Sequence, residues 1–153
     1  MKYAVVILLA FVFTSCNTDH KTGSADAQTD SAVLLTQEKT LCFLRLEGAS
    51  KRDSSIIHIK INGDSIDGTF NHLPYEKDSR KGTIAGTRKD DTIRALWSFM
   101  QEGMNDTISV EFLIKDDALY QKTFGFDKNT GRQKLTDTST FSIKYRAVDC
   151  PSS

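Results

Sequence analysis

The sequence predicts an all-β domain: a single eight-stranded antiparallel meander closed into a barrel. Three observations lead there. From Thr40 onward apolar and polar residues alternate with a period of two, the mark of half-buried strands, and no helical period follows the first sixteen residues. The alternating segments are short and mostly separated by tight turns rich in Asn, Asp and Gly. Two cysteines, Cys42 and Cys150, bracket the alternating region. An even number of strands lets the first and last pair antiparallel, which brings those cysteines together. A two-sheet β-sandwich also brings the ends together and is the alternative architecture.

The strands follow in order. Thr40–Gly48 places Cys42, Leu44 and Leu46 on one face. Ser55–Asn62 alternates Ile57, Ile59 and Ile61 with Ile56, His58 and Lys60, and Asn62-Gly63-Asp64 is a strong hairpin signal because these residues accept positive φ. Ser65–Phe70 returns with Ile66, Gly68 and Phe70 aligned. The connection Asn71–Lys81 precedes Gly82–Arg88, and Lys89-Asp90-Asp91 turns into Thr92–Met100, where Ile93, Ala95, Trp97 and Phe99 share a face. Asp106–Lys115 aligns Ile108, Val110, Phe112 and Ile114. Ala118–Phe126 is the seventh strand and Asp127–Asp137 a connection. Thr138–Val148 is the eighth, aligning Phe141, Ile143, Tyr145 and Ala147. The two prolines, Pro74 and Pro151, fall outside all of these strands.

The first sixteen residues carry a different message. Lys2 precedes an apolar run from Tyr3 to Phe13, near the length of a signal-peptide core and well short of the roughly 18 residues needed to cross a bilayer. The ending Phe13-Thr14-Ser15-Cys16 resembles a bacterial lipobox. The resemblance implies a cleaved leader over 1–15, lipidation of Cys16, and a mature chain anchored in a membrane by its acyl chains. Each buried methylene contributes about 0.8 kcal/mol, so two or three chains hold firmly where one does not. Asn17, in place of an aspartate after the cysteine, favours the outer membrane over the inner. Residues 16–38 are rich in Thr, Ser, Asp, Ala and Gln and read as a lipidated N-terminus and flexible linker, leaving 39–153 as the barrel domain. Asp30-Ser31-Ala32 resembles an O-glycosylation pattern of exported Bacteroidetes-type proteins. The related triplets at Asp64, Asp91 and Asp106 read more simply as polar turns entering strands.

The chain carries 20 basic and 20 acidic residues, and cleavage would remove only Lys2. No basic patch marks a nucleic-acid partner. With Cys16 assigned to lipid, Cys42 and Cys150 remain, and an oxidising compartment makes a disulfide their usual fate. Two free thiols or a metal pair are the alternatives; no CxxC occurs and the three histidines are scattered.

The segments Tyr75–Gly86, Trp97–Gly103 and Glu111–Lys115, with the closing Val148-Asp149-Cys150, resemble a family of small Bacteroidetes-type lipoproteins over about Leu41–Cys150. That family brings no activity with it. More loosely, leader, barrel and staple are similar to NlpE-like and lysozyme-inhibitor-like barrel lipoproteins, of lipocalin-like or calycin-like build. The CxxC of the NlpE-like proteins is missing here, so thiol-based sensing does not transfer.

Chemistry-bearing residues are few. His72, Tyr75, Glu76, Lys77, Asp78 and Arg80 crowd the longest connection and form, with Trp97, the candidate binding set. His72, Glu76 and Asp78 could ligate a metal only if they converged as three or four ligands do, and a solvated loop is the favoured reading. Asp90-Asp91 and Asp116-Asp117 are paired carboxylates in turns. Asp127–Gly131 begins like a calcium loop but has its glycine one place early and lacks the closing glutamate. No nucleophile elbow frames a serine. No cofactor is expected. The function read from this is a non-catalytic envelope lipoprotein, bound to the membrane through Cys16. Its barrel rim and 71–81 loop would bind an envelope protein; the alternative is a small apolar ligand inside the barrel beside Trp97, Phe99, Phe112, Phe141 and Tyr145, and an envelope hydrolase ranks third.

Overall fold

The computed structural model describes residues 38–151. The expected leader, Cys16 and the linker with Asp30-Ser31-Ala32 lie outside the described residues. Among the described residues ten strands form: β1 (Lys39–Glu47), β2 (Asp53–Asn62), β3 (Ser65–Leu73), β4 (Arg80–Lys89), β5 (Thr92–Gln101), β6 (Met104–Lys115), β7 (Ala118–Lys122), β8 (Gly125–Phe126), β9 (Gln133–Lys134) and β10 (Phe141–Val148). Eight close into one antiparallel barrel in the order β1-β10-β7-β6-β5-β4-β3-β2, while β8 and β9 pair as a separate ribbon. The closed meander is therefore adopted and the sandwich is not.

Inward positions follow the period of two. Ile57, Ile59 and Ile61 of β2, Ile66 and Phe70 of β3, Ile93, Trp97 and Phe99 of β5, and Ile108, Val110 and Phe112 of β6 are all buried in one core. Trp97 is at its centre, 2% exposed. Its ring stacks on Phe70 with centroids 4.1 Å apart, and its Nε1–H donates to the Phe70 carbonyl at 2.9 Å. Phe112 and Tyr145 meet Phe70 edge-on at 6.1 and 6.4 Å. The interior is filled with side chains, as an eight-stranded barrel permits.

The barrel has two unlike ends. At one, the tight β2–β3, β4–β5 and β6–β7 turns gather, with positive φ at Gly63, Asp90, Asp116 and Asp117; β1 begins and β10 finishes here. The staple sits beside them: the Cys42 and Cys150 sulfurs are bonded at 2.06 Å with Cα atoms 5.2 Å apart. At the other end, the mouth, lie the longer connections and the β8–β9 ribbon.

Cys42, Leu44 and Leu46 share one face of β1 as expected, and it is the outward one, the core face being Leu41 and Phe43. Three expectations are corrected. β3 runs on to Leu73 and β4 starts at Arg80, because the ladder continues through Ser54↔Leu73 and His72↔Arg80; the 71–81 connection shrinks to residues 74–79. The seventh strand ends at Lys122 rather than Phe126, and the following connection contains the ribbon. Finally, the register slips between Phe141 and Ile143. This bulge sets Phe141 opposite outward-facing Lys122, whose ammonium is 5.1 Å from the ring centroid, instead of aligning it with Ile143 and Tyr145.

In β4 two of the inward positions, Gly82 and Gly86 on either side of buried Ile84, are glycines pressed against β5. A Cβ on Gly86 would lie 2.1 Å from the Arg94 carbonyl oxygen and 2.6 Å from the Ala95 Cα; only a residue without a side chain lets the strands approach so closely. Gly86→Ala is expected to cost about 1–3 kcal/mol through backbone displacement, read as a lowered urea midpoint. A change below about 0.5 kcal/mol, the level of an ordinary surface substitution, would show that the two strands can part freely.

Candidate functional site

On β1 to β5 the inward phase turns from apolar to polar as the strand reaches the mouth. Arg45 and Glu47 continue the phase of Leu41 and Phe43; Asp53 and Ser55 precede Ile57; His72 follows Phe70; Arg80 precedes Ile84; Gln101 follows Phe99. Glu47, Asp53, His72, Arg80 and Gln101, with residues of the 74–79 connection and Gln133 of the ribbon, surround a depression of about 650 Å³. Two smaller concavities, about 430 and 370 Å³, lie on the outer wall of β4–β6. They lack such convergence: the mouth draws charged or amide groups from five barrel strands and the ribbon.

The floor of the mouth is a buried polar layer. Tyr145 donates its hydroxyl to Gln121 Oε1 at 2.6 Å, and burial pushes that phenol well above its ordinary range. Ser55 Oγ lies 2.9 Å from His72 Nδ1. Arg45 pairs with Glu47 at 2.7 Å. Arg80 is held by two neutral acceptors, donating from Nε to Gln101 Oε1 and from Nη1 to Gln133 Oε1, each at 2.7 Å, and its guanidinium lies 5.1 Å from the Phe99 ring centroid. Arg80 thereby ties the ribbon to the barrel. On the rim, Asp53 accepts the Tyr75 amide at 2.7 Å, and Arg52 covers the Tyr75 ring at 4.4 Å. Hydrogen bonding to Asp78 and the repulsion between the two carboxylates raise the Glu102 carboxyl above its usual range.

Of the residues the sequence singles out, His72, Glu76, Lys77, Asp78 and Arg80 line the depression together. Tyr75 stands beside it, nearly half exposed. Trp97 belongs to the core rather than the rim. Asp127, the start of the calcium-like stretch, has its oxygens taken by the Asn129 and Thr130 amides and by Lys134; these donors, Lys134 foremost, hold it far below the usual carboxylate range. It is a turn. The sequence alone does not single out Arg45, Glu47, Asp53, Ser55, Gln101, Gln121 and Gln133, and it places Tyr145 only beside an interior apolar ligand. The readable signal for most of them is polarity in phase with a core face.

Burial holds the His72 imidazole below its ordinary value, with Arg80 and Arg45 acting in the same direction and Glu47 and Asp53 opposing. The unfolded chain therefore takes up this proton more readily than the fold does. Its contribution to stability is fully present above about pH 6.5, the unperturbed histidine range, and is lost as pH falls toward the lowered folded value. His72→Gln is expected to flatten the stability profile of the full chain between about pH 7 and pH 5. Profiles that superimpose for both proteins would place the proton uptake elsewhere.

Ser55 and His72 are the nearest approach to a nucleophile and base. Ser55 is only 1% exposed, however, and lies under the floor, out of a substrate's reach. Among the described residues no group of three or more His, Cys, Asp and Glu side chains is placed to hold a metal ion. What the mouth offers is fixed charge and hydrogen-bonding groups around a concavity. Comparison with known proteins finds no matching family model, no matching curated protein and no matching solved structure.

Proposed function

We propose that this is a lipid-anchored envelope protein that docks another protein on the mouth of its barrel and performs no chemistry itself. The observation that carries the reading is where the exposed apolar side chains lie. Among the described residues the large exposed hydrophobics are Leu46, Tyr75, Leu96, Met100, Met104 and Phe126. All except Leu96 sit at the mouth end, spread around the barrel on β1, the β3–β4 connection, β5, β6 and β8. Exposed apolar residues scattered singly carry no message, but a group gathered at one polar-centred end marks a contact surface. The filled interior leaves little room for a small apolar ligand, which weakens the carrier reading. The leader and Cys16 supply the anchor in this proposal.

The triple variant Tyr75→Ser, Met104→Ser, Phe126→Ser removes apolar surface at exposed sites, where folding is little affected. In capture from the native cell envelope it is expected to lose at least about tenfold of whatever the wild type and a Leu96→Ser control retain, as removal of contact hot spots does. Equal capture by all three proteins would overturn the docking role. Mass spectrometry of the purified mature protein, with and without reductant, tests the anchor: the chain is expected to begin at Cys16 with acyl mass added, and an unmodified cysteine would remove it.

A further inference from the structure

The charges at the mouth say what kind of group it receives. Four carboxylates, Glu47, Asp53, Glu76 and Asp78, line the depression against two cations, Lys77 and Arg80. Partners decide which of these charges are free, and the rim cation Arg52 is engaged on the Tyr75 ring at 4.4 Å. Glu47 is neutralised by Arg45, whereas Asp53, Glu76 and Asp78 have no cation within 4.0 Å among the described residues. Arg80 is drawn back by Gln101 and Gln133 and lies against Phe99, and Lys77 has a flexible stem that can carry its charge out to water. Asp78 also faces Glu102 across the rim, and the repulsion between those two carboxyls is relieved when a cation comes between them.

We propose that the docked partner inserts a lysine or arginine side chain into the mouth, its charge meeting Asp53, Glu76 and Asp78 and its flanks packing on Tyr75 and the neighbouring apolar residues. This rests on the docking role and names the chemistry of what docks. An anionic side chain would meet unpaired carboxylates at the rim before reaching Arg80, so the mouth selects against it as well as for a base. Packing of the stem on Tyr75 excludes water from part of that contact, where a charged pair is worth more than on an open surface. The long stems of lysine and arginine suit the arrangement because they are apolar along their length and charged only at the tip.

The test uses two probes, N-acetylarginine amide and N-acetylglutamate amide, titrated into the isotopically labelled full chain in detergent and followed by amide chemical shifts. The arginine probe is expected to shift amides of residues 47, 53 and 74–80 and to leave the staple end unmoved. The variant Asp53→Asn, Asp78→Asn should need at least about fivefold more probe, the loss of two partly screened charge contacts. Both substitutions retain a carbonyl oxygen, so the Tyr75 amide stays capped. Preference of the mouth for the glutamate probe, or equal titration of variant and wild type, overturns the inference. If the arginine probe fails there while envelope capture still depends on Tyr75, Met104 and Phe126, the basic-group assignment falls and docking stands. If capture ignores those three residues, docking itself falls and takes this inference with it.

Discussion

Replacing Cys42 and Cys150 together by serine is expected to lower the stability of the full chain by up to about 4.7 kcal/mol, the chain-entropy value for a cross-link closing roughly 100 residues. The bond spans 108 positions, so its removal restores most of the freedom of the domain to the unfolded state. A second, local reason makes the effect large. β1 and β10 close the barrel through only three residue pairs, Cys42↔Val148, Phe43↔Ala147 and Leu44↔Arg146, whereas β1 and β2 share nine, from Lys39↔Ile61 to Glu47↔Asp53. The sulfur bridge stands at the first of those three pairs and locks the weakest seam in the wall. In thermal unfolding the serine variant should melt roughly 15–25 °C lower, given the enthalpies usual for a domain of this size. Its seam amides should also exchange faster than those of the β4–β5 ladder. A loss below about 1 kcal/mol would mean that the seam is held by the core alone and that the bond is incidental.

The strand periods show what the sequence makes legible and where it stops. Thr92–Met100 reads as a strand because four core residues recur every second place, and β5 differs from it only by Gln101. Ala118–Phe126 reads equally well as one strand, yet β7 stops at Lys122. Its inward positions are only Leu119 and Gln121, too few for periodicity to fix an end, and a bulge in its partner reaims Phe141. A bulge adds one residue and reverses the phase on its far side, which no alternation count in a single strand reveals. The mouth is hidden for a related reason. Arg45, Asp53, His72 and Arg80 sit at strand ends, where polar residues ordinarily signal a turn. Their shared inward phase has meaning only once the wall is closed and all those ends face one another. The 71–81 stretch was visible as a cluster because its residues are neighbours in sequence; Gln133, brought in by a ribbon from 53 positions beyond Arg80, was not.

Trp97→Ala is expected to cost about 3–5 kcal/mol, the range for deleting a large aromatic from a packed core. Three losses combine: the burial of the indole, its stacking on Phe70 at 4.1 Å and its tilted contact with Phe99 at 4.4 Å, and the Phe70 carbonyl's side-chain donor. The neighbouring rings of Phe70 and Phe99 are apolar, and a void lined in this way stays dry and accepts small apolar molecules. Added indole is therefore expected to bind the variant and return part of the lost stability, by an amount that rises with indole concentration as linkage requires. The same indole should leave the wild-type unfolding midpoint unchanged, because Trp97 already occupies the space. The comparison separates docking at the rim from carriage in the interior. A wild-type barrel stabilised by indole would have to move its own tryptophan aside for a guest, and the filled core would then be a resting state of a carrier rather than the support of a docking face.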